Sequence, residues 1–127
     1  MDILLDTHVL IWFLNGDSTL SQKVKEIIED QNNIKFVSIA SIWEIAIKIS
    51  LDKFRFAKGF KLFLELIEEN GFDILPISFE DTIIVSTLEF IHRDPFDRIL
   101  IAQCKANNLV MATKDENIMK YQVSTIW

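Results

Sequence analysis

The chain has 127 residues, of which half are hydrophobic and a quarter are charged, so it is long and apolar enough to bury a core. This composition excludes a disordered, collagen-like or low-complexity chain. The formal net charge of −6 excludes a uniformly basic nucleic-acid binder. Because Cys104 is the only cysteine, no internal disulfide can form, which is typical of a reducing compartment.

The sequence carries no targeting or membrane signal that we recognise. Asp2 and Asp6 give an acidic start, whereas secretory signal peptides begin with basic residues and continue with a longer apolar run. The apolar run at 9–14 is too short to span a bilayer. We therefore expect a soluble, cytoplasmic protein that does not enter a membrane.

Short apolar runs alternate along the chain with segments whose apolar residues recur at helical spacing. Leu20, Val24 and Ile28 share one face of a helix, whereas residues 3–5 are typical of a strand buried on both faces. In chain order, the predicted elements are a strand at 3–5, helices at 9–14 and 20–28, a strand at 34–37, a helix after Ser38, a helix at 60–69, a strand at 72–77, helices at 79–90 and 95–107, and strands at 109–113 and 123–127.

Local signals place several of these boundaries. Asp94-Pro95 is typical of a helix start, and Asn70-Gly71 of a helix end. No repeat or linker-like segment divides the chain, so residues 1–127 are predicted to form one domain. Strands that alternate with helices favour an α/β fold with a central parallel sheet of about five strands and helices on both faces.

Four acidic residues are predicted to lie near one edge of this sheet, where the chemistry of parallel α/β folds gathers. Clustered carboxylates repel each other, so a divalent cation would stabilise them, and ligation by oxygen alone favours Mg²⁺ or Mn²⁺. Such an ion can activate water for attack on phosphorus. The four are Asp6 at the end of the first strand, Glu44 in the helix after the second strand, Asp97 in the first turn of the helix after Asp94-Pro95, and Asp115 after the fourth strand.

Each acid also has a structural explanation. Glu44 fits a capping box with the serine three residues before it, and an ion pair with Lys48. Asp97 could complement the dipole of its helix, and Asp115 could cap a short helix that follows it. Asp6 is the hardest to explain in this way, because an acid that closes a buried strand needs a partner.

Four short blocks of the sequence match the motifs of a known family. They are LLDTHVLIW at 4–12, SIASIWEIAIK at 38–48, HRDPFDR at 92–98 with IAQ at 101–103, and TKD at 113–115. Together they resemble the PIN-domain ribonucleases, and the HRDPFDR block is similar to that of the VapC toxins of type II toxin–antitoxin pairs. The blocks occur in order over essentially the whole chain.

The resemblance implies a metal-dependent endoribonuclease and gives each acid a role. Asp6 and Asp97 would bind Mg²⁺ or Mn²⁺ most directly, and Glu44 and Asp115 would act through water or orient it. Hydrolysis of RNA by metal-activated water would leave 5′-phosphate and 3′-hydroxyl ends. No acid of the family's quartet is missing, so the sequence does not indicate a degenerate copy.

The resemblance also implies partners. A small antitoxin protein would block the acidic site with an arginine-bearing tail, and the toxin would form a homodimer to which Phe54 and Phe56 contribute. RNA would be the substrate. Residues 48–61 contain five basic residues against one acid, and we predict that they contact RNA despite the acidic balance of the whole chain.

Neighbouring residues receive supporting roles. Thr7 and Thr113 are predicted to hydrogen-bond the metal ligands, and Asp94 to cap its helix. Arg98 is predicted either to pair with one of the two aspartates of its block or to contact a phosphate, and pairing is favoured because an arginine in a first helical turn among acids is readily satisfied. His92 is interpreted as a loop residue.

Other functions are compatible with parts of the pattern. A phosphoacceptor signalling domain has a similar size and layout, but here the third strand ends at Pro76-Ile77 rather than at an aspartate. A catalytically silent PIN-like module would bind RNA or protein without cleavage. The sequence does not separate an RNA from a DNA substrate, nor transfer, ribosomal and messenger RNA from one another.

Overall fold

A computed structural model describes all residues from Met1 to Trp127. The strands are β1 (Asp2–Leu5), β2 (Ile34–Ser38), β3 (Asp73–Leu75), β4 (Val110–Ala112) and β5 (Thr125–Ile126). The helices are α1 (Thr7–Asn15), α2 (Gln22–Glu29), α3 (Ile39–Ser50), α4 (Phe60–Glu69), α5 (Phe79–Thr87), α6 (Pro95–Asn107) and α7 (Glu116–Met119). None of the helices combines the length and the apolar character that crossing a membrane requires.

The five strands form one parallel sheet in the order β3-β2-β1-β4-β5, which confirms the predicted α/β architecture. Leu5 of β1 lies opposite Val37 of β2 and Ala112 of β4. The central strands therefore end level with one another. We call the edge formed by the residues that follow them the carboxyl rim.

Each face of the sheet carries its own hydrophobic core. Ile3 and Leu5 point to one face and pack with residues of α1 to α4, whereas Leu4 and Met111 point to the other face and pack with α6 and α7. All four side chains are fully buried. Burial on both faces explains why these strands read as continuous apolar runs in the sequence.

Short polar side chains set the starts of the helices that lead away from the rim. The Ser38 side chain caps α3, and the Asp94 side chain caps α6, as predicted for Asp94. The predicted capping box between Ser41 and Glu44 is wrong, because α3 already begins after Ser38 and both residues lie within the helix.

α5 ends earlier than predicted, at Thr87 rather than at Phe90. The backbone of Leu88 is extended, and its carbonyl oxygen accepts a hydrogen bond from the Arg98 side chain at 3.0 Å. The carbonyl oxygen of Glu89 accepts a second one at 2.8 Å. This segment is therefore held against α6 instead of continuing the helix.

The aromatic residues between α3 and α4 pack inward. Phe56 is 7% exposed, and its ring centroid lies 5.1 Å from that of Phe63. Phe54 packs beside the same ring. The predicted exposure of Phe56 on a dimer surface is therefore wrong, whereas Phe54 is half-buried and its contribution to a dimer stays a prediction. Trp43 and Phe79 do expose large apolar side chains.

Candidate metal centre

Asp6 is the first residue beyond β1 and lies on the carboxyl rim. Its backbone N–H donates to the carbonyl oxygen of Ala112 at 3.1 Å, which holds it beside the end of β4. Its carboxylate accepts hydrogen bonds from the N–H of Val9 at 2.8 Å, as the cap of α1, and from the hydroxyl of Thr113. The residue is only 4% exposed, and this burial raises the pKa of Asp6 although both hydrogen bonds oppose the shift.

Asp97 lies half-buried in the first turn of α6. Its pKa is raised to about 6, mainly by burial and further by the negative charges of Asp94 and Asp115, while its contact with His92 opposes the shift. The charge of Asp115 also raises the pKa of Asp6. Asp6, Asp97 and Asp115 are thus linked by charge repulsion on the rim, with Asp115 acting on both of the others.

Asp115 follows β4 and caps α7, so the structural explanation for this residue is confirmed. Its carboxylate accepts from the N–H of Asn117 at 2.8 Å, and its own N–H donates to the Thr113 hydroxyl oxygen at 3.0 Å. Thr113 therefore joins Asp115 to Asp6, as predicted. Thr7 differs from the prediction, because its hydroxyl donates to the Ser41 hydroxyl at 3.0 Å and not to an acid.

Glu44 is 7% exposed in the second turn of α3, where its surroundings differ from those of the other acids. Its Oε2 lies 3.3 Å from Nζ of Lys48, the predicted ion pair, whereas its Oε1 is buried without a hydrogen-bond partner. Glu44 is not among the charges that shift the pKa of Asp6 or Asp97. Of the four predicted site residues, the structure thus links three and leaves the fourth paired with a lysine.

The chemistry of this donor set fits a hard divalent cation. Asp6 and Asp97 are buried or half-buried acids with raised pKa values and no lysine or arginine paired with them, and Glu44 has an unpartnered oxygen. Carboxylate oxygens are ligands that Mg²⁺ and Mn²⁺ prefer. The side chains do not converge as they stand, since no three His, Cys, Asp or Glu groups meet the spacing of a metal site. The residues therefore fit a divalent cation in their charge and in the type of donor atom, whereas the spacing of a metal site is not formed.

The sequence profile that describes the PIN domain matches residues 3–123. The chain belongs to the PIN domain family.

Solved structures share the PIN fold over nearly the full chain. VapBC2 from Rickettsia felis, bound to a DNA fragment from their promoter, gives a TM-score of 0.77 at 14% identity over 99% of this chain and 98% of that chain. FitAcB from Neisseria gonorrhoeae gives a TM-score of 0.66 at 21% identity over 98% of this chain and 96% of that chain. VapBC-1 from nontypeable Haemophilus influenzae gives a TM-score of 0.70 at 15% identity over 99% of this chain and 97% of that chain. No curated protein sequence is significantly similar to this chain.

Two side chains of this PIN domain that the sequence did not assign to the site are linked to Asp97. Nε2 of His92 lies 3.0 Å from Oδ2 of Asp97, and its Nδ1 lies 2.9 Å from the hydroxyl of Tyr121. Burial lowers the pKa of His92, but the hydrogen bonds with Tyr121 and Asp97 outweigh it and raise the pKa overall. The place of His92 in the HRDPFDR block is a signal that could have found it, whereas Tyr121 lies far along the chain in no recognised motif.

The predicted ion pair of Arg98 with Asp94 or Asp97 is wrong. Arg98 is 4% exposed, and its guanidinium donates to two carbonyl oxygens of the segment after α5 and to the hydroxyl of Tyr121 at 3.1 Å. It also lies 4.1 Å from the ring centroid of Phe90. Meanwhile Asp94 accepts from backbone N–H groups of α6 and Asp97 contacts His92, so the acids and the arginine each have other partners.

Proposed function

We propose that this PIN domain is a divalent-metal-dependent endoribonuclease and the toxin of a type II toxin–antitoxin pair. The proposal is carried by the group of Asp6, Asp97 and Asp115 on the carboxyl rim, in which two acids have raised pKa values and no lysine or arginine partner. The VapBC and FitAcB complexes that share the fold support the toxin assignment. A toxin that acts on cellular RNA would work in the cytoplasm.

In the proposed site, Asp6 and Asp97 would hold Mg²⁺ or Mn²⁺ directly, and Glu44 and Asp115 would act through water. The chemistry that such an ion supplies is activation of water and compensation of the charge on the phosphate under attack. Thr113 would orient Asp6, because its hydroxyl donates to Asp6 while its oxygen accepts from the backbone of Asp115. The expected products carry 5′-phosphate and 3′-hydroxyl ends.

The exposed basic residues between α3 and α4 are the proposed contacts to RNA. Lys53, Arg55 and Lys58 face solvent, whereas Lys48 at the start of this stretch is half-buried against Glu44. The logarithm of RNA affinity falls with the logarithm of salt concentration, and each phosphate contact that is lost should make this slope shallower by about 0.7 for a single strand. If reversal of all three charges leaves both RNA affinity and its salt slope unchanged, this contact is excluded.

The proposed protein partner is a small antitoxin that presents arginine to the acidic rim, since guanidinium binds carboxylates strongly. Addition of such a protein, encoded by the neighbouring gene, should inhibit cleavage. We also propose a homodimer, because Phe79 is 89% exposed and Trp43 is 61% exposed. Analytical ultracentrifugation of the protein free of antitoxin tests the dimer, and a monomer at all concentrations would exclude it.

The decisive experiment is cleavage of total cellular RNA in Mg²⁺, in Mn²⁺ and in EDTA. Asp97→Asn removes one proposed ligand with little change of shape. Asp73→Asn is the matched control, because it makes the same chemical change at an acid that lies away from the rim. Asp73 is exposed on the edge strand β3. We expect discrete, metal-dependent fragments from the natural protein and the control, and none from Asp97→Asn.

Three results would contradict the proposal. Equal cleavage by Asp97→Asn, or cleavage in EDTA, would indicate a contaminating nuclease or a reaction that needs no metal. If no protein cleaves RNA after antitoxin has been excluded from the preparation, the catalytically silent binding module becomes the better description. Mapping of the fragment ends would identify the RNA and test the expected 5′-phosphate.

A further inference from the structure

A chain of hydrogen bonds that starts at two buried residues, Arg98 and Tyr121, ends at Asp97. Arg98 contacts the hydroxyl of Tyr121 at 3.1 Å, the same hydroxyl lies 2.9 Å from Nδ1 of His92, and Nε2 of His92 lies 3.0 Å from Oδ2 of Asp97. Tyr121 and Arg98 are each only 4% exposed. The four residues come from the loop before α6, from α6 itself and from the segment after α7.

The partners of the tyrosine hydroxyl determine where the proton of His92 lies. Arg98 has no lone pair and can only donate, and the backbone N–H of His92 also donates to the Tyr121 oxygen, at 3.2 Å. These two donors occupy the lone pairs of that oxygen. The hydroxyl proton of Tyr121 is then left for Nδ1 of His92, which at 2.9 Å is closer than the other acceptor, the His92 carbonyl oxygen at 3.4 Å.

Once Nδ1 accepts a hydrogen bond, neutral His92 must carry its proton on Nε2. That N–H points at Oδ2 of Asp97. Every hydrogen bond in the chain therefore donates in one direction, from Arg98 through Tyr121 and His92 to Asp97. Oδ2 is held by the imidazole, and Oδ1 of Asp97 is left free of it.

We propose that His92 is a positioning residue, fixed as its Nε2–H tautomer by Tyr121 and Arg98, that holds Oδ2 of the Asp97 carboxylate and leaves Oδ1 as the oxygen that would bind a metal. This inference rests on the proposed function, because it assigns an orientation to one of its proposed metal ligands. Residues that hydrogen-bond a ligand in this way fix its geometry, and their loss typically costs about 10- to 100-fold in metal affinity or activity.

A purely structural role must be distinguished from this one, since Arg98 also ties the segment after α5 to α6. The two amide substitutions of His92 make the distinction. Gln places its amide nitrogen near the position of Nε2 and keeps a donor for Asp97, whereas Asn places its amide near Nδ1 and keeps only the contact with Tyr121. Both remove the imidazole, so they should lower the thermal unfolding midpoint to a similar extent.

The experiment measures Mn²⁺ affinity by electron paramagnetic resonance, without RNA, for the full chain and for His92→Gln, His92→Asn and Tyr121→Phe. We expect His92→Asn to bind Mn²⁺ about 10- to 100-fold more weakly and His92→Gln to recover most of the affinity. Tyr121→Phe should cause a smaller loss. In cleavage assays, the loss should fall on kcat rather than on KM, because RNA contacts are unchanged.

A ¹⁵N spectrum of the imidazoles gives a readout that does not depend on metal. The chain has two histidines, and exposed His8 is an internal reference for a ring without such partners. At a pH above the pKa of the ring, we expect His92 to be fixed as the Nε2–H tautomer in the natural protein and to become a mixture in Tyr121→Phe. A His92 that carries its proton on Nδ1 would overturn the proposal.

The remaining outcomes separate this inference from the proposed function. Equal Mn²⁺ affinity in His92→Asn and the natural protein, or equal losses in His92→Asn and His92→Gln, overturns the inference even when RNA is cleaved. If the natural protein binds Mn²⁺ with the expected order of variants but cleaves no RNA, the inference is supported and the nuclease function fails. Should His92→Asn not fold, Tyr121→Phe and His92→Gln still test it through the tautomer and the affinity.

Discussion

Asp6 and Glu44 are both nearly inaccessible to solvent, yet the protein surrounds their charges in opposite ways. Glu44 has Nζ of Lys48 at 3.3 Å from one oxygen. Asp6 is held by neutral donors, the N–H of Val9 and the hydroxyl of Thr113, and the charge of Asp115 opposes its ionisation. The chain thus pairs Glu44 with a lysine, whereas Asp6 has no ion pair and experiences opposing charge effects from His8 and Asp115.

This difference indicates where an external cation changes the molecule most. Burial of a carboxylate without a compensating charge favours its protonated form, which is why the pKa of Asp6 is raised. A divalent ion at the rim would relieve that cost at Asp6, whereas much of it is already relieved at Glu44 by Lys48. Metal-linked effects should therefore be large on the Asp6 side and small on the Glu44 side.

The largest expected effect is that of Asp6→Asn. Asn can still cap α1, so the fold should persist, but a proposed ligand is lost. We expect cleavage to fall at least about 100-fold, the loss typical of removing one electrostatic contact of a reaction centre. The natural protein should gain about 2.7 kcal/mol of stability at Mg²⁺ a hundredfold above Kd, and Asp6→Asn should lose this gain. Thermal unfolding with and without Mg²⁺ measures it.

An exposed aspartate provides the control for this change. Asp73→Asn should leave both cleavage and the Mg²⁺-dependent stabilisation as they are, because Asp73 lies on the edge strand β3. If Mg²⁺ stabilises Asp6→Asn as much as the natural protein, the ion binds elsewhere and the proposed contrast between Asp6 and Glu44 fails.

Glu44→Gln should have a smaller effect. We expect cleavage and Mn²⁺ affinity to fall roughly 10- to 100-fold if Glu44 acts through water, the range for residues that support a metal ligand. Parallel titration of Glu44→Gln and Asp6→Asn with Mn²⁺ measures the difference. A loss as large as that of Asp6→Asn would mean that Glu44 leaves Lys48 and binds the ion directly.

The pH dependence of stability gives a third test, with a sign opposite to ordinary acid unfolding. The pKa of Asp97 is about 6 in the folded protein against 3.8 ordinarily, so between these values the folded state binds more protons than the unfolded state. Stability of the metal-free protein should then fall as pH rises from about 4 to about 6, by about 1–2 kcal/mol after allowance for partial exposure of Asp97.

Urea unfolding at several pH values in EDTA measures this dependence as the difference between the natural protein and Asp97→Asn. The variant should lack the contribution, because its amide does not titrate. Saturating Mg²⁺ should also suppress it, since the metal binds the ionised carboxylate. If the natural protein instead gains stability relative to Asp97→Asn as the pH rises, the raised pKa of Asp97 is contradicted.

The sequence was most informative where a local signal decides the structure. Asp94-Pro95 predicts the start of α6 because the cap and the first helical residue are adjacent in the chain, and the apolar run at 3–5 predicts a central strand because both of its faces are buried. Because that strand ends at Leu5, the sequence also predicts that Asp6 lies on the carboxyl rim.

The sequence was least informative where a side chain chooses among distant partners. Arg98 lies beside Asp94 and Asp97 in the sequence, yet its hydrogen bonds go to Tyr121 and to the segment after α5. His92 and Tyr121 are 29 residues apart and meet only because α6 and α7 pack on the same face of the sheet. Such choices depend on tertiary packing, which neither spacing nor composition encodes.

The smallest expected effect belongs to the ion pair itself. Lys48→Met keeps the apolar stem of the side chain and removes its charge, which leaves Glu44 with no cation and one oxygen already unpartnered. Because Lys48 is about a third exposed, we expect a loss of about 1 kcal/mol of unfolding free energy in EDTA, and recovery of most of it in the double variant Glu44→Gln/Lys48→Met. The same change in the exposed pair Lys25–Glu29, which lies at 4.0 Å, should cost almost nothing.

Repeating the Lys48→Met measurement in Mg²⁺ decides whether Glu44 belongs to the metal site at all. If its buried oxygen faces the ion, directly or through water, the ion replaces the missing lysine charge and the loss of stability shrinks. If the loss is the same in Mg²⁺ and in EDTA, Glu44 is a structural acid of α3. The site would then consist of Asp6, Asp97 and Asp115 alone, the three acids that the carboxyl rim links by charge.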